Sequence, residues 1–334
     1  PTVQFCHLLL SIDFSEHLVE EELYPVLSYL REWSNECEMK CIDNKLMCKR
    51  YSALSLSEPP STELKVKSVV ITGGLGGLGL QTAKVLAQQG AQHIFLVSRS
   101  GKVSYEGQGL EEDLRWLQEE SGCHIHILQC DVSEESAVVQ MLSTARDLAG
   151  GITGIVHCAG VIRDGLLSSG SAASSCCDVW KAKARSAWYL HNHTLNDSLC
   201  LFLAFSSITS AIGNIGQCSY GFANRYLDEL MELREATGLP GASVRWPAIA
   251  GVGMAADLLA TSDLSSPFLM NKNELEKSLI DLFGQHYSAN GVITILPSSF
   301  STSLLSERVK PQFNAILNEI NVRRGNTNKR AKGV

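Results

Sequence analysis

SVVITGGLGGLG, residues 68–79, decides how this chain is read. Val69, Val70 and Ile71 form a β-branched run that ends at Thr72 and passes straight into glycines. A helix-period segment through Gln89 follows, and then a second apolar run, HIFLVSR. A glycine-rich turn is common and means little alone. Between a strand and a helix it lets the backbone turn tightly and approach a pyrophosphate, whose charge meets the helix N-terminus. Thr72, Gly73, Gly74, Leu75, Gly76, Gly77, Leu78 and Gly79 are therefore candidate dinucleotide contacts.

Outward from this turn the pattern stays regular. A helix carries Leu110, Leu114 and Leu117 on one face, and HIHILQCDV, a helix through Leu148 and GITGIVHCAG follow. A long helical stretch from Asp178 leads to LCLFLAFSS, a helix from Gln217 to Glu235, and GASVRWPAI. Short apolar strands alternating with helical periods predict an α/β fold, a Rossmann-type doubly wound parallel sheet covered on both faces. Residues 1–66 differ: strand-like FCHLLLSIDF, helical EEELYPVLSYLREW, a strand-like pair around Glu38–Arg50, and the polar SLSEPPSTELK, which reads as a linker. From Val322 onward Arg323, Arg324, Lys329, Arg330 and Lys332 occur with no acidic residue, as expected of a solvated tail.

The end of the second strand of the sheet selects the dinucleotide. An Asp or Glu there accepts from a ribose 2′-OH, whereas this chain has Ser98-Arg99-Ser100. A guanidinium with hydroxyls suits a 2′-phosphate, so NADPH is expected over NADH. Asp131 and Val132 stand where adenine would lie, although Asp131 also suits a cap of the next helix. Ala159 and Gly160 let the backbone pass close to the cofactor.

The strand ending at Ser206-Ser207 is followed, thirteen residues beyond Ser207, by Tyr220. Asn224 lies one helical turn further, on the same face. Strand ends of an open α/β sheet are where ligands bind. Reducing a ketone needs an acid for the developing alkoxide, and a tyrosine serves if a cation lowers its pKa. A serine hydroxyl can hold the carbonyl oxygen. Taken alone, Ser207 and Tyr220 equally suit a buried hydroxyl pair at a strand–helix junction.

Together, TGGLGGLG, SRSG (98–101), CDV (130–132), HCAGVIRDGLL (157–167), FSS (205–207) and GQCSYGFANRYLDEL (216–230) resemble the ketoreductase domain of type I polyketide synthases and animal-type fatty acid synthases. That branch belongs to the short-chain dehydrogenase/reductase superfamily, and the resemblance runs from about 67 to 315. Most of the superfamily carries a lysine where this chain has Asn224. In the resembling branch the lysine comes from the preceding long helix, where WKAKARSAWYLH supplies Lys183 by spacing, with Lys181 as its neighbour. The resemblance implies that Tyr220 donates the proton, Lys183 lowers its pKa and contacts the nicotinamide ribose, Ser207 binds the carbonyl, and Asn224 supports a proton relay. Residues 1–66 resemble the tail of a degenerate structural subdomain, with 67–315 catalytic and 316–334 a basic linker toward a carrier domain. Residues from about Met254 to Asn273, Met270 included, resemble a mobile lid. Residues 274–305 resemble the last helix and strand, with ITILP as the strand core. Two departures stand out: Trp246-Pro247-Ala248-Ile249 replaces a WGPW-like run, and Ala182 replaces a common proline.

The branch's D-hydroxyl producers carry an LDD-like motif whose last residue corresponds to Asp164. The L-producers carry a tryptophan where this chain has Ile212. The resemblance therefore implies the (3R) alcohol, with Asp164, Ile212 and Met254 near the substrate; Asp164 also suits a helix cap.

Composition limits the alternatives. Of 334 residues, 45% are hydrophobic and 19% charged, which excludes disorder and allows a large core. A net charge of −7 disfavours nucleic acid as a partner. No apolar run reaches the ~18 residues of a membrane span, and Leu8-Leu9-Leu10 lacks the basic flank of a signal peptide. The start at Pro1 suggests an excised segment. Eleven cysteines show no disulfide framework, and Cys37, Cys41 and Cys48 lack zinc-site spacing, so free thiols and no metal are expected. The expected function is NADPH-dependent reduction of a β-ketoacyl thioester on an acyl carrier protein, among the other domains of a cytoplasmic or organellar megasynthase. The competing readings are a non-catalytic scaffold domain and a free-standing carbonyl reductase.

Overall fold

The computed structural model describes residues 39–42, 45–48, 66–104, 107–166, 172–251, 253–254, 268–285, 291–298, 300 and 313. The expected first strand and helix, the polar linker and the basic tail lie outside them. The chain divides into two compact units, residues 1–57 with 301–334, and residues 58–300. In the first, the strand-like pair is an antiparallel hairpin of β1 (Met39–Ile42) and β2 (Lys45–Cys48).

The second unit alternates strand and helix. In chain order it contains β3 (Ser68–Thr72), α1 (Gly77–Gln88), β4 (His93–Ser98), α2 (Leu110–Glu119), β5 (His124–Gln129), α3 (Glu135–Ala149) and β6 (Gly154–His157). Then come α4 (Ala172–Trp180), a π-helical turn (Lys181–Arg185), α5 (Ser186–Asn192), β7 (Leu201–Ser207), α6 (Thr209–Ile212) and α7 (Cys218–Ala236). β8 (Ala242–Trp246), β9 (Ala248–Ile249), β10 (Leu269–Met270), α8 (Lys272–Gln285) and β11 (Gly291–Thr294) complete it. Seven strands form one parallel sheet in the order β11-β8-β7-β6-β3-β4-β5.

Period-two alternation sorts the strand residues between two cores. Val69, Ile71, Ile94 and Leu96 pack with Leu80 and Leu86 of α1, Leu117 of α2 and Leu279 of α8. Val70, Phe95, Val97 and Ile155 face the other way, against Met141 and Leu142 of α3, Leu190 of α5, and Leu227 and Met231 of α7. Central β3, β7 and β8 are buried at every position, whereas edge strand β5 is partly exposed and carries His124 and His126. An internal ion pair ties α7 to β8. Arg245 Nη2 lies 2.7 Å from Asp228 Oδ2, both side chains are fully buried, and Ser243 and Ser210 also donate to that carboxylate.

Three expectations shift. The long helix starts at Ala172, not Asp178, and contains the π turn. The last strand is GVIT rather than ITILP, because pairing with β8 runs from Gly291 to Thr294. The far end of the expected lid is anchored: Leu269 and Met270 pair in parallel with Ala248 and Ile249, and Met270 is 1% exposed.

Candidate active site

Strand order reverses between β3 and β6, which opens the crevice where such sheets bind ligands. The loops after these two strands touch. Gly73 has φ +66°, and a Cβ there would stand 2.9 Å from Ala159 N; at Gly79 it would stand 2.3 Å from Gly73 O. No other residue type fits either place without moving backbone. A cleft of about 1050 Å³ opens beside the loops, lined by Gly73, Ser98, Arg99, Asp131, Val132, Ala159, Gly160 and Met254 among others. Thr72 is buried and turned toward the protein, where its hydroxyl meets His157. Gly74, Leu75, Gly76, Gly77, Leu78 and Gly79 shape the turn without lining the cleft.

This cleft fits a phosphorylated dinucleotide. Gly73 brings the glycine loop, which leads into α1, to the wall of the cleft. Arg99 is exposed at the rim, on a turn closed by the Gly101 N–H donating to Ser98 Oγ. Asp131 lines the cleft and also accepts from Ser133 N, so it shapes the turn before α3 as well.

The lysine comes from the π turn. Lys183 is 2% exposed, its Nζ donates to Phe205 O at 2.8 Å, and it lies 5.6 Å from the Tyr220 ring centroid. Burial pushes its pKa down to about 8, against weaker upward pulls from Cys158 and Asp228. Lys181, by contrast, is exposed and lines the cleft. Cys158, in the loop after β6, is a free thiol whose pKa burial drives upward.

Tyr220 sits in the first turn of α7 and is half-buried. Asn224 is fully buried; its Nδ2 donates to Tyr220 O, and its own carbonyl accepts from Ser206 Oγ, which ties α7 to the end of β7. The Oδ1 of Asn224 is buried and has no hydrogen-bond partner. An acceptor in that condition suits an ordered water or ligand donor. Ser207, 8% exposed, ends β7 beside Trp246 and accepts from Thr209 N.

Among the described residues, Asp164 bonds to a side chain rather than to a helix's first N–H groups. It is exposed and accepts from Gln217 Nε2 at 2.9 Å, while Gly165 N donates to Gly216 O, joining the loop after β6 to the head of α7. Ile212, half-buried, ends α6. Sequence reasoning missed the cleft-lining Ser104, Ser133 and Arg163, and it missed His157. Only His157 left a signal, as a polar residue inside an apolar strand. Among the described residues no group of three or more His, Cys, Asp or Glu could hold a metal, and no helix is long and apolar enough to cross a membrane.

A parallel sheet with a glycine loop at its switch point, and a tyrosine and a buried lysine meeting at the strand ends, define a short-chain dehydrogenase/reductase. The family model described as KR domain matches residues 67–251. The chain belongs to this family, the ketoreductase domains of type I polyketide synthases. It is 39% identical over 188 residues to polyketide synthase GfsA of Streptomyces halstedii, covering 56% of this chain and 2% of that one. It is 33% identical over 211 residues to the highly reducing polyketide synthase tazB of Aspergillus terreus, covering 61% of this chain and 8% of that one. Among solved structures, an A1-type ketoreductase matches with TM-score 0.70 at 27% identity, over 84% of this chain and 60% of the other. The chain thus spans less than a tenth of the length of these curated relatives. Members of this family are oxidoreductases that act on a keto group and bind a nicotinamide cofactor.

Proposed function

We propose that the chain reduces a β-ketoacyl thioester, carried on an acyl carrier protein of its own megasynthase, to the (3R)-β-hydroxyacyl thioester with NADPH. The observation that carries this reading is the buried Lys183 ammonium 5.6 Å from the Tyr220 ring, next to a cleft fitted to a phosphorylated dinucleotide. When bound, NADPH supplies the hydride. Arg99, Ser98 and the glycine loop hold the cofactor, and Ser207 Oγ donates to the substrate carbonyl oxygen. Tyr220 delivers a proton to that oxygen as negative charge develops on it. A cation beside a phenol favours the phenolate left behind, so Lys183 lowers the cost of the transfer. With a pKa of about 8, Lys183 is still mostly charged near neutral pH. The free Oδ1 of Asn224 holds a water through which the phenol regains its proton.

The (3R) outcome rests on Asp164 and Ile212. Asp164 bonds to Gln217, three residues before Tyr220, which supports a role for it beside the substrate.

The test is NADPH oxidation with acetoacetyl or longer β-ketoacyl thioesters, wild type against Tyr220→Phe. Turnover by the wild type with a loss of about 100-fold or more in the variant is expected. NADPH binding without turnover would favour the scaffold reading, and equal rates would remove Tyr220 from the acid role. Chiral analysis giving mainly the L isomer would overturn the stereochemical part.

A further inference from the structure

Lys183 reaches Tyr220 from a π turn, a backbone form that inserts one residue into a helix and loosens its regular bonding. Something must fix that turn, and the partner is His157. His157 ends β6, is 0% exposed, and its Nε2 lies 2.8 Å from the carbonyl oxygen of Lys183. Its Nδ1 lies 2.7 Å from Thr72 Oγ1, at the entry to the glycine loop. Ser186, one helical turn beyond Ala182, also donates to the Lys183 carbonyl.

The chemistry of these partners fixes the proton. A carbonyl oxygen only accepts, so Nε2 carries the hydrogen and Nδ1 is the acceptor, which the Thr72 hydroxyl satisfies. Ala159 N lies 3.4 Å from Thr72 Oγ1 and donates to it. The bonds run in one direction, from Ala159 through Thr72 and His157 to Lys183. A second ring proton would reverse the Thr72 bond, take away the acceptor of that hydroxyl's proton, and set a positive charge beside the buried Lys183 ammonium. The titratable groups around the ring are Lys183 on the π turn and Cys158 on the following loop, with Asp228 of α7 acting on Lys183. Burial and Lys183 together hold the ring uncharged, with its pKa down to about 3.

The structure assigns His157 the role of a positioning residue: a neutral imidazole that ties the backbone of Lys183 to the glycine loop, so that the ammonium and the cofactor bed are set in register. This rests on the role of Lys183 proposed above. With Nζ on Phe205 O and its carbonyl on His157, Lys183 is held at both ends.

The full chain provides the test. His157→Gln keeps a donor near the place of Nε2, whereas the shorter His157→Asn reaches only the place of Nδ1 and leaves the Lys183 carbonyl without its donor. Freed from its tether, Lys183 supports Tyr220 less, and the phenol keeps its proton to higher pH. His157→Asn should lower kcat about 100-fold and move the alkaline limb of its pH profile upward; His157→Gln should stay within about tenfold with the limb in place. Lys183→Met is measured alongside. If it leaves turnover intact, the reading of Lys183 falls and this inference with it. If it abolishes turnover while His157→Asn keeps the wild-type rate and profile, only the positioning role falls. Should the variants fail to fold, nitrogen NMR of the wild-type imidazole decides. A neutral ring protonated at Nε2 is expected from about pH 5 to 9, and a ring that charges near its ordinary value would overturn the assignment.

Discussion

Lys183 illustrates how one side chain can cost stability and serve chemistry together. Its ammonium is taken out of water, bonded to Phe205 O, with no carboxylate on it among the described residues. In the unfolded chain it titrates near its ordinary value, and in the folded protein at about 8. Between these two values the unfolded state binds more protons, so this group lets stability rise with pH there; below about 8 its full penalty applies. Lys183→Met should therefore stabilise the ligand-free protein at neutral pH by about 1–3 kcal/mol, read as a higher Tm, with the gain fading above about pH 8. His157 acts with the same sign in a more acidic window. Its folded pKa lies below the unfolded one, so it supports stability above about 6.5 and withdraws that support as pH falls toward about 3. Arg99 acts on binding rather than folding, because it is exposed at the cleft rim. Arg99→Glu should weaken NADPH by about 10- to 100-fold and NADH far less, as read by titration of each nucleotide. Equal losses would defeat the 2′-phosphate assignment. Residue identities on short motifs were legible in the sequence because their spacing is local. The partners of His157 lie 85 and 26 positions away, and nothing in a linear reading joins them.

Elements place these residues, and some placements are costly to disturb. α7 carries Tyr220 and Asn224 and is pinned to β8 through Asp228 and Arg245, both fully buried. Removing one member of a buried pair leaves a desolvated charge behind. Asp228→Ala should cost about 3–5 kcal/mol in denaturant unfolding, and a loss under about 1 kcal/mol would show that the pair does not anchor the helix. The strands and helices of the sheet were legible because each carries its own period. The π turn was not, since one extra residue within five leaves the apolar spacing on either side intact. Nor was the end of β11, where the apolar run continues through Ile295 and Leu296 but pairing with β8 ends at Thr294. The pairing of β10 with β9 joins residues more than a helix length apart in sequence, so Met270 read as part of a loop.

Across the molecule, the strand order was implied by the βα alternation, since right-handed crossovers leave few arrangements. It places the glycine loop and the Ala159-Gly160 loop side by side, where both would meet a bound nucleotide. A nucleotide held by both should stabilise the 58–300 unit as a whole. At a hundred times its Kd, NADPH should add about 2.7 kcal/mol and raise Tm accordingly, with Arg99→Glu losing most of that gain. In a chain of acidic net charge, the cleft lining is balanced, with Arg99, Arg163 and Lys181 set against Asp131, Asp164 and Asp178. The π turn has one more consequence, in evolutionary terms. Deleting a single residue from an ordinary helix rotates everything beyond it by a quarter turn or more and usually ruins the packing. Here the helix already holds a supernumerary residue, so a one-codon deletion between Lys181 and Arg185 would restore regular α-geometry and leave α5 in place. Such a lineage would keep its architecture and lose its ammonium from the tyrosine, a short genetic route from working enzyme to silent relative.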